Sequence, residues 1–478
     1  MPTERPWGIY LRILLTGVLI AMLNLASRPH ALHSGLEQAY RAMLQGEWAS
    51  ALDGVTRAAE QVPWRIDLPI QAARLALQNN QPQLAIQTLQ AERVSGYLSP
   101  GDWMALGDAF QASGDTAAAA EIWQQVAEAT PSPEIYRRLA DLALADKDYP
   151  TAVEHLRHLL QYSPADAGLS YRIGLLYATF DPDAALAYLA QAAEIDPSLA
   201  PAAQDIQRKI RTARLYEQPA YTFTAAGRAL ALLDEWDYAE AAFTQAVTLR
   251  PDYAEAWAFL GEARQHTPGD QAQPDRGLAE LQRALELDPA SISANLLIGL
   301  YYERQGDYPR AVAYIQNTLS LEPDNPLLQA ELANALALQG DLPAAQAAYE
   351  NAIALAPEDP LFYRLLAEFA LSYQIQYREI ALPAARSAVV LAPDDPRSLD
   401  VLGHTLLRLN DYHSAERLLV QAIQADPEYA AAHLHLGMVL VQRGEMERAR
   451  QEFDLADSLG SGTFTATQAQ RFLAYYFP

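Results

Sequence analysis

Residues Ile292–Asn325 read ISANLLIGLYYERQGDYPRAVAYIQNTLSLEPDN. Apolar residues recur three and four apart in both halves, which predicts two amphipathic helices. Gly306 breaks them, because glycine accepts the positive φ of a helix C-cap. Asp307 then offers a carboxylate to cap the second helix. Pro309 falls in that helix's first turn, where its missing N–H is not needed. The second helix ends before Pro323, since the residue preceding proline avoids the α region.

The same pattern returns along the chain. Prolines 131, 164, 197, 251, 289, 323, 357, 393 and 427 close successive units, most of them 33 or 34 residues apart. Two further copies end at Pro63 and near Tyr97. A repeat of this period means a stack of supersecondary units, each burying its apolar face against the next. In one copy Trp103, Leu106, Gly107, Phe110, Ala119, Trp123 and Pro131 follow in order; in another, Leu402, Gly403, Leu406, Ala415, Leu419, Ala422 and Pro427 do. Leu436, Gly437, Leu440, Ala449, Phe453 and Ala456 form the last copy. The small residues let paired helices approach closely.

This pattern resembles the tetratricopeptide repeat. The resemblance implies an all-α, right-handed α-solenoid of about twelve helix hairpins. Residues 31–199 read as an N-terminal array and 220–463 as a C-terminal array. Between them, 200–219 read as a spacer helix made basic by Arg208, Lys209, Arg211 and Arg214. Residues 464–478 read as a capping helix that packs Phe472, Leu473 and Tyr476 on the final repeat. Two smaller breaks interrupt the period. HTPGDQAQPD, from His266, reads as an exposed loop, and two extra residues near LSYQIQYREI lengthen one hairpin.

Residues 1–30 are of another kind. Arg5 and Arg12 precede an uncharged run from Ile13 to Ser27. A basic start, an apolar block and a polar exit describe an export signal. The run is shorter than the roughly 20 residues of a spanning helix. It approaches that length if it begins near Trp7 with Arg12 snorkelling. A cleaved signal peptide and an N-terminal transmembrane anchor both fit, and both predict export across the cytoplasmic membrane.

Composition narrows the chemistry. The formal net charge is −25, and nucleic-acid binding needs a basic surface. There is no cysteine, which excludes disulfides, thiolate metal sites and a cysteine nucleophile. No P-loop, G-x-G-x-x-G, G-x-S-x-G or H-E-x-x-H pattern occurs. EPDN, APEDP and APDDP lack the alternating ligands of a calcium loop; they read as turns that cap the next helix. His433 and His435 point about 200° apart on a helix and do not chelate one metal. His433 fills the bulky slot held by Trp103 and Trp257 and is expected to pack on its own second helix. His435 is expected to face outwards or towards the preceding repeat. Neither a cofactor nor a metal site is expected, and the chain reads as no enzyme.

In the tetratricopeptide family the first helices line a concave groove for protein segments. Transferring that phase places Arg304, Asn334, Arg364, Glu368, Arg397, Asp400, His404 and Arg408 on the partner-binding side. The carboxylate clamp of lysine and asparagine known in the family is missing, because the two lysines, Lys147 and Lys209, lie elsewhere. The expected function is a non-enzymatic protein-interaction scaffold of the cell envelope, with the N-terminal segment as its membrane contact. The alternative is a helical accessory subunit of an envelope export or glycan-assembly machine, with catalysis in a partner.

Overall fold

The computed structural model describes residues 30–62, 64–95, 98–267 and 275–477. The expected signal or anchor segment and most of the insertion after His266 lie outside them. Among the described residues the chain is all-α, with 26 helices and no strand. None of these helices is long and apolar enough to cross a membrane.

The local rules read from Ile292–Asn325 hold in detail. Helix Ile292–Arg304 is followed by Gly306 at φ +73°. Asp307 then caps helix Tyr308–Leu321 by accepting from the Arg310 N–H at 3.2 Å. Asp115, Asp148, Asp341 and Asp411 cap the second helices of their repeats in the same way. The acidic turns EPDN, APEDP and APDDP cap the first helices that follow, through Asn325, Asp359 and Asp395. Each such cap satisfies a backbone donor that the helix leaves open, worth about 1 kcal/mol.

The chain forms two compact units, residues up to Leu233 and residues from Asp234. In the first, helix pairs follow one another from His30–Leu44 with Trp48–Gln61 to Ala167–Phe180 with Pro182–Ile195. Helix Ala200–Arg214 then packs on both Pro182–Ile195 and Pro219–Ala231. It buries Ala203, Ile206, Ile210 and Ala213 and turns Arg208 and Arg211 to solvent. Pro219–Ala231 also touches Ala167–Phe180, so the row of first helices runs on past the insertion.

The second unit stacks pairs from Ala254–His266 with Leu278–Leu287 to Ala430–Gln442 with Met446–Leu459. Helix Phe464–Tyr476 closes it, with Phe472 stacked on the buried Phe453 at 5.3 Å. The small residues act as close-approach points. A Cβ on Gly437 would sit 2.6 Å from Phe453, and one on Gly403 would sit 2.7 Å from Leu419.

Two breaks in the period acquire a shape. Beside the insertion, Glu240 accepts from Arg264, Thr267 and Arg276, while Asp275 accepts from the Tyr301 hydroxyl at 3.0 Å. Near LSYQIQYREI the extra residues do not simply extend the hairpin. Gln374 and Gln376 take positive φ, and Tyr377–Ala381 form a π-helical turn ahead of helix Leu382–Leu391. A wider turn absorbs an insertion without shifting the packed face by a full residue.

Candidate protein-binding surface

In the second unit most first helices lie beside the next, and side chains link several of them. The expected surface residues fall into two groups.

The first group spans the repeats around helix Ile292–Arg304. Arg304 reaches back to Glu262 at 2.7 Å and Gln265 at 2.8 Å. Asn334 donates to Glu303 Oε1 at 3.0 Å. The other Glu303 oxygen, Oε2, is sealed from solvent without a hydrogen-bond partner. Burial pushes the Glu303 carboxyl up, and Glu331 adds to the rise. Glu331 is itself pushed up by burial. Tyr349 reaches in from the second helix Leu342–Leu355, and its buried hydroxyl lies in the field of Glu331, Glu368 and Glu303.

The second group lies on helices Pro360–Ser372, Pro396–Arg408 and Ala430–Gln442. Arg364 donates to Asp395 at 2.8 Å across the repeat junction, and its side chain is only 12% exposed. Burial works against the Asp395 charge, but bonds from Ser398 and the Arg364 guanidinium outweigh it and hold that carboxyl low. Glu368 is exposed by area, yet protein surrounds it closely enough that desolvation pushes its carboxyl up. Arg364, His435 and Arg397 oppose that rise without cancelling it. Asp400 is buried and accepts from His435 Nδ1 at 2.7 Å. His404 stacks on His435 with ring centroids 4.0 Å apart. Burial, the His435 charge and Arg408 hold His404 well below the ordinary histidine range. Arg397 is exposed, and Arg408 lies 5.9 Å from the centre of the Tyr377 ring.

Arg364, Glu368, Arg397, Asp400 and His404 thus come into one electrostatic neighbourhood, whereas Arg304 and Asn334 belong with Glu262, Glu303 and Glu331. Reading the first-helix phase missed Glu303 and Glu331, whereas His435 faces the preceding repeat, one of the two directions expected for it. Glu331 and His435 share one slot, two residues before Ala333 and Gly437. That slot faces the preceding repeat. Among the described residues no group of three or more potential ligands could hold a metal.

A model of the tetratricopeptide repeat matches residues 70–132, 104–167, 269–326 and 401–462. A second tetratricopeptide model matches residues 302–369, and together the matches take in more than half of the chain. The chain belongs to the tetratricopeptide repeat family. Tetratricopeptide arrays are protein–protein interaction scaffolds, and this chain is one of them. Similar solved structures include yeast Tom70, 15% identical, covering 93% of this chain and 95% of that one with a TM-score of 0.44. The Cut9–Hcn1 hetero-tetramer of APC/C is 12% identical, covering 96% and 98% with a TM-score of 0.40. YrrB, described as a TPR protein with an unusual peptide-binding site, is 18% identical over 40% of this chain and 97% of its own, with a TM-score of 0.29. No curated protein matches the chain.

The tetratricopeptide frame explains His433. Six residues after the closing proline, a polar side chain donates back to that proline's carbonyl. Trp257 bonds Pro251 O at 2.9 Å, and Asn295 bonds Pro289 O at 3.1 Å. Tyr363 bonds Pro357 O and His433 bonds Pro427 O, both at 3.1 Å. His433 also bonds Glu452 on its own second helix, so it fastens the hairpin that Trp would otherwise brace.

Proposed function

We propose that this tetratricopeptide protein is a non-enzymatic scaffold of the cell envelope that holds protein segments against the first helices of its second unit. One observation carries the reading. That face keeps charged groups that the chain itself leaves unused: Arg397 and Glu368 form no hydrogen bond or ion pair through their side chains among the described residues. Polar groups left open on a packed surface orient an incoming chain and discriminate against wrong partners. The uncharged run Ile13–Ser27 behind Arg5 and Arg12 supports membrane targeting.

A pull-down from membrane extract tests the surface. The variant Arg364→Glu/Arg397→Glu/Arg408→Glu is expected to lose the partner recovered by the wild type; undiminished recovery removes the assignment. N-terminal sequencing of the mature protein distinguishes a cleaved from an anchored segment. An intact Met1 on protein found wholly in the soluble cytosol removes the envelope assignment.

A further inference from the structure

Helix Phe464–Tyr476 packs on both helices of the last repeat but does not fill the space beside them. A cavity of about 220 Å³ remains where it meets the C-terminal ends of helices Pro396–Arg408 and Ala430–Gln442. Its apolar wall comes from Leu407, Met438, Val441, Phe472 and Tyr476. Its rim carries Arg408, Asn410 and Gln442, all three exposed. No acidic residue lines it among the described residues, although the chain holds 59 Asp and Glu against 34 Lys and Arg. The donors on the rim are unspent. Arg408 makes no hydrogen bond or ion pair among the described residues, and its guanidinium lies 5.9 Å from the centre of the Tyr377 ring. Its effect on His404 is repulsive. Tyr412 donates to Asn410 Oδ1 at 2.8 Å, which leaves the Asn410 amide protons open, and the Gln442 side chain makes no hydrogen bond among the described residues. The helix-end carbonyls nearby do not need these donors: the Asn410 N–H closes on Leu407 O and the Gly444 N–H on Val441 O, both at 3.0 Å.

We infer that this cavity takes one bulky apolar side chain of a protein segment, with an aspartate or glutamate next to it on the segment held by Arg408. The inference rests on the scaffold reading above and names the partner's chemistry. The volume selects a side chain, since pockets for small-molecule ligands run to roughly 300–1,000 Å³. Apolar walls give that side chain the burial that drives association, and anchors seated in such pockets carry much of the energy of a protein interface. The rim sets the charge. Three unspent donors in a lining free of acid favour a carboxylate and reject a lysine or arginine at the same place. Elsewhere the net charge of −25 repels an acidic segment, so Arg408 fixes where one sits.

The test follows the Met438 methyl resonance by NMR in the full chain, isotope-labelled at its methionine methyls and assigned through Met438→Leu. The titrant is the peptide Gly-Ser-Asp-Phe-Asp-Ser-Gly with both ends blocked. Met438 is expected to shift saturably while Met104, in the first unit, stays in place. Replacing the phenylalanine by alanine is expected to weaken binding at least about tenfold, the loss of a buried apolar side chain. Replacing both aspartates by asparagine is expected to weaken it about three- to fivefold, as for an exposed ion pair. Arg408→Gln is expected to weaken the aspartate peptide by the same factor and to leave the asparagine peptide unchanged, so that the two bind equally. No shift at Met438, or a shift that the alanine peptide reproduces, overturns the inference. So does a preference for aspartate that survives Arg408→Gln. Self-association of the wild type that Arg408→Gln abolishes, followed by analytical ultracentrifugation, would assign the cavity to a second copy and also overturns it. Thermal melts followed by circular dichroism check that the variants fold. If Met438 does not respond while Arg364→Glu/Arg397→Glu/Arg408→Glu still abolishes partner recovery, the scaffold reading stands and only the inference about this cavity falls.

Discussion

His433 and Glu452 are joined at 2.7 Å, and the other ring nitrogen of His433 lies 3.1 Å from the Pro427 carbonyl. A carboxylate and a carbonyl both accept, so the doubly protonated ring satisfies both contacts at once and is favoured. The Glu452 bond accordingly raises the His433 pKa above 6.5, against the opposing effect of burial. The folded pKa exceeds the unfolded one, so this stabilisation is full below pH 6.5 and is lost as pH rises through the raised value. Glu452→Gln is expected to cost about 1.5–3 kcal/mol at pH 5.5, the range for hydrogen bonds to charged groups. The loss should shrink at alkaline pH, as urea denaturation at the two pH values measures.

His404 carries the opposite sign. Its folded pKa lies well below 6.5 through burial, His435 and Arg408. The unfolded chain therefore binds the proton first, and stability falls as pH drops below 6.5. Arg408 and His435, which stacks on it and bonds Asp400, share its surroundings, so the comparison must isolate one ring. His404→Gln is expected to flatten the acid limb of the wild-type stability curve between pH 6.5 and the acid transition. A pair of parallel curves would show that His404 does not set this slope.

Gly437 and Gly306 should fail for different reasons. A methyl group on Gly437 would lie 2.6 Å from the fully buried Phe453 ring. Gly437→Ala is expected to cost about 1–3 kcal/mol from overpacking. Gly306 has nothing within 4 Å of the corresponding position but holds φ at +73°. Gly306→Ala is expected to cost roughly 1–2 kcal/mol from backbone strain alone. Gly306→Asn should recover part of that, because asparagine tolerates the left-handed region. No recovery in thermal melts would contradict this conformational account.

Glu331 offers a stability test that needs no partner. Burial raises its carboxyl pKa, so the folded state holds a proton that the unfolded state gives up. Its contribution is greatest below the ordinary glutamate pKa of 4.5 and falls as pH rises through the raised value. Glu331→Gln is expected to stabilise the protein at neutral pH, with little difference at pH 4. A lower melting temperature at pH 7.5 would show that the Glu331 charge is compensated in the fold.

Much of the fold was legible in the sequence because its signals are local. The caps Asp307 and Asp411, the turn glycine Gly306 and the close-packing Gly437 act within one hairpin, a few residues from what they control. The slot of His433 followed from counting along one helix. The π turn at Tyr377–Ala381 was not legible, because two inserted residues can enter a turn or extend a helix. Packing on Pro360–Ser372 and Pro396–Arg408 decides between them. Glu331 was missed for a related reason: one helix's phase gives the direction of its slot but not which groups of the preceding repeat lie there.

The sequence by itself determined the repeat period, the helix pairs, their caps and the tetratricopeptide identity. Helical periodicity, proline and glycine act over distances of a few residues, so one chain suffices to read them. Only the tertiary structure decided which charges meet. The angle at which one first helix lies on the next brings His435 to Asp400 and Arg364 to Asp395. The same geometry leaves Glu331 and Glu368 without a hydrogen bond or ion pair among the described residues. That angle comes from the packing of many small buried side chains at once, and no single stretch of the chain carries it.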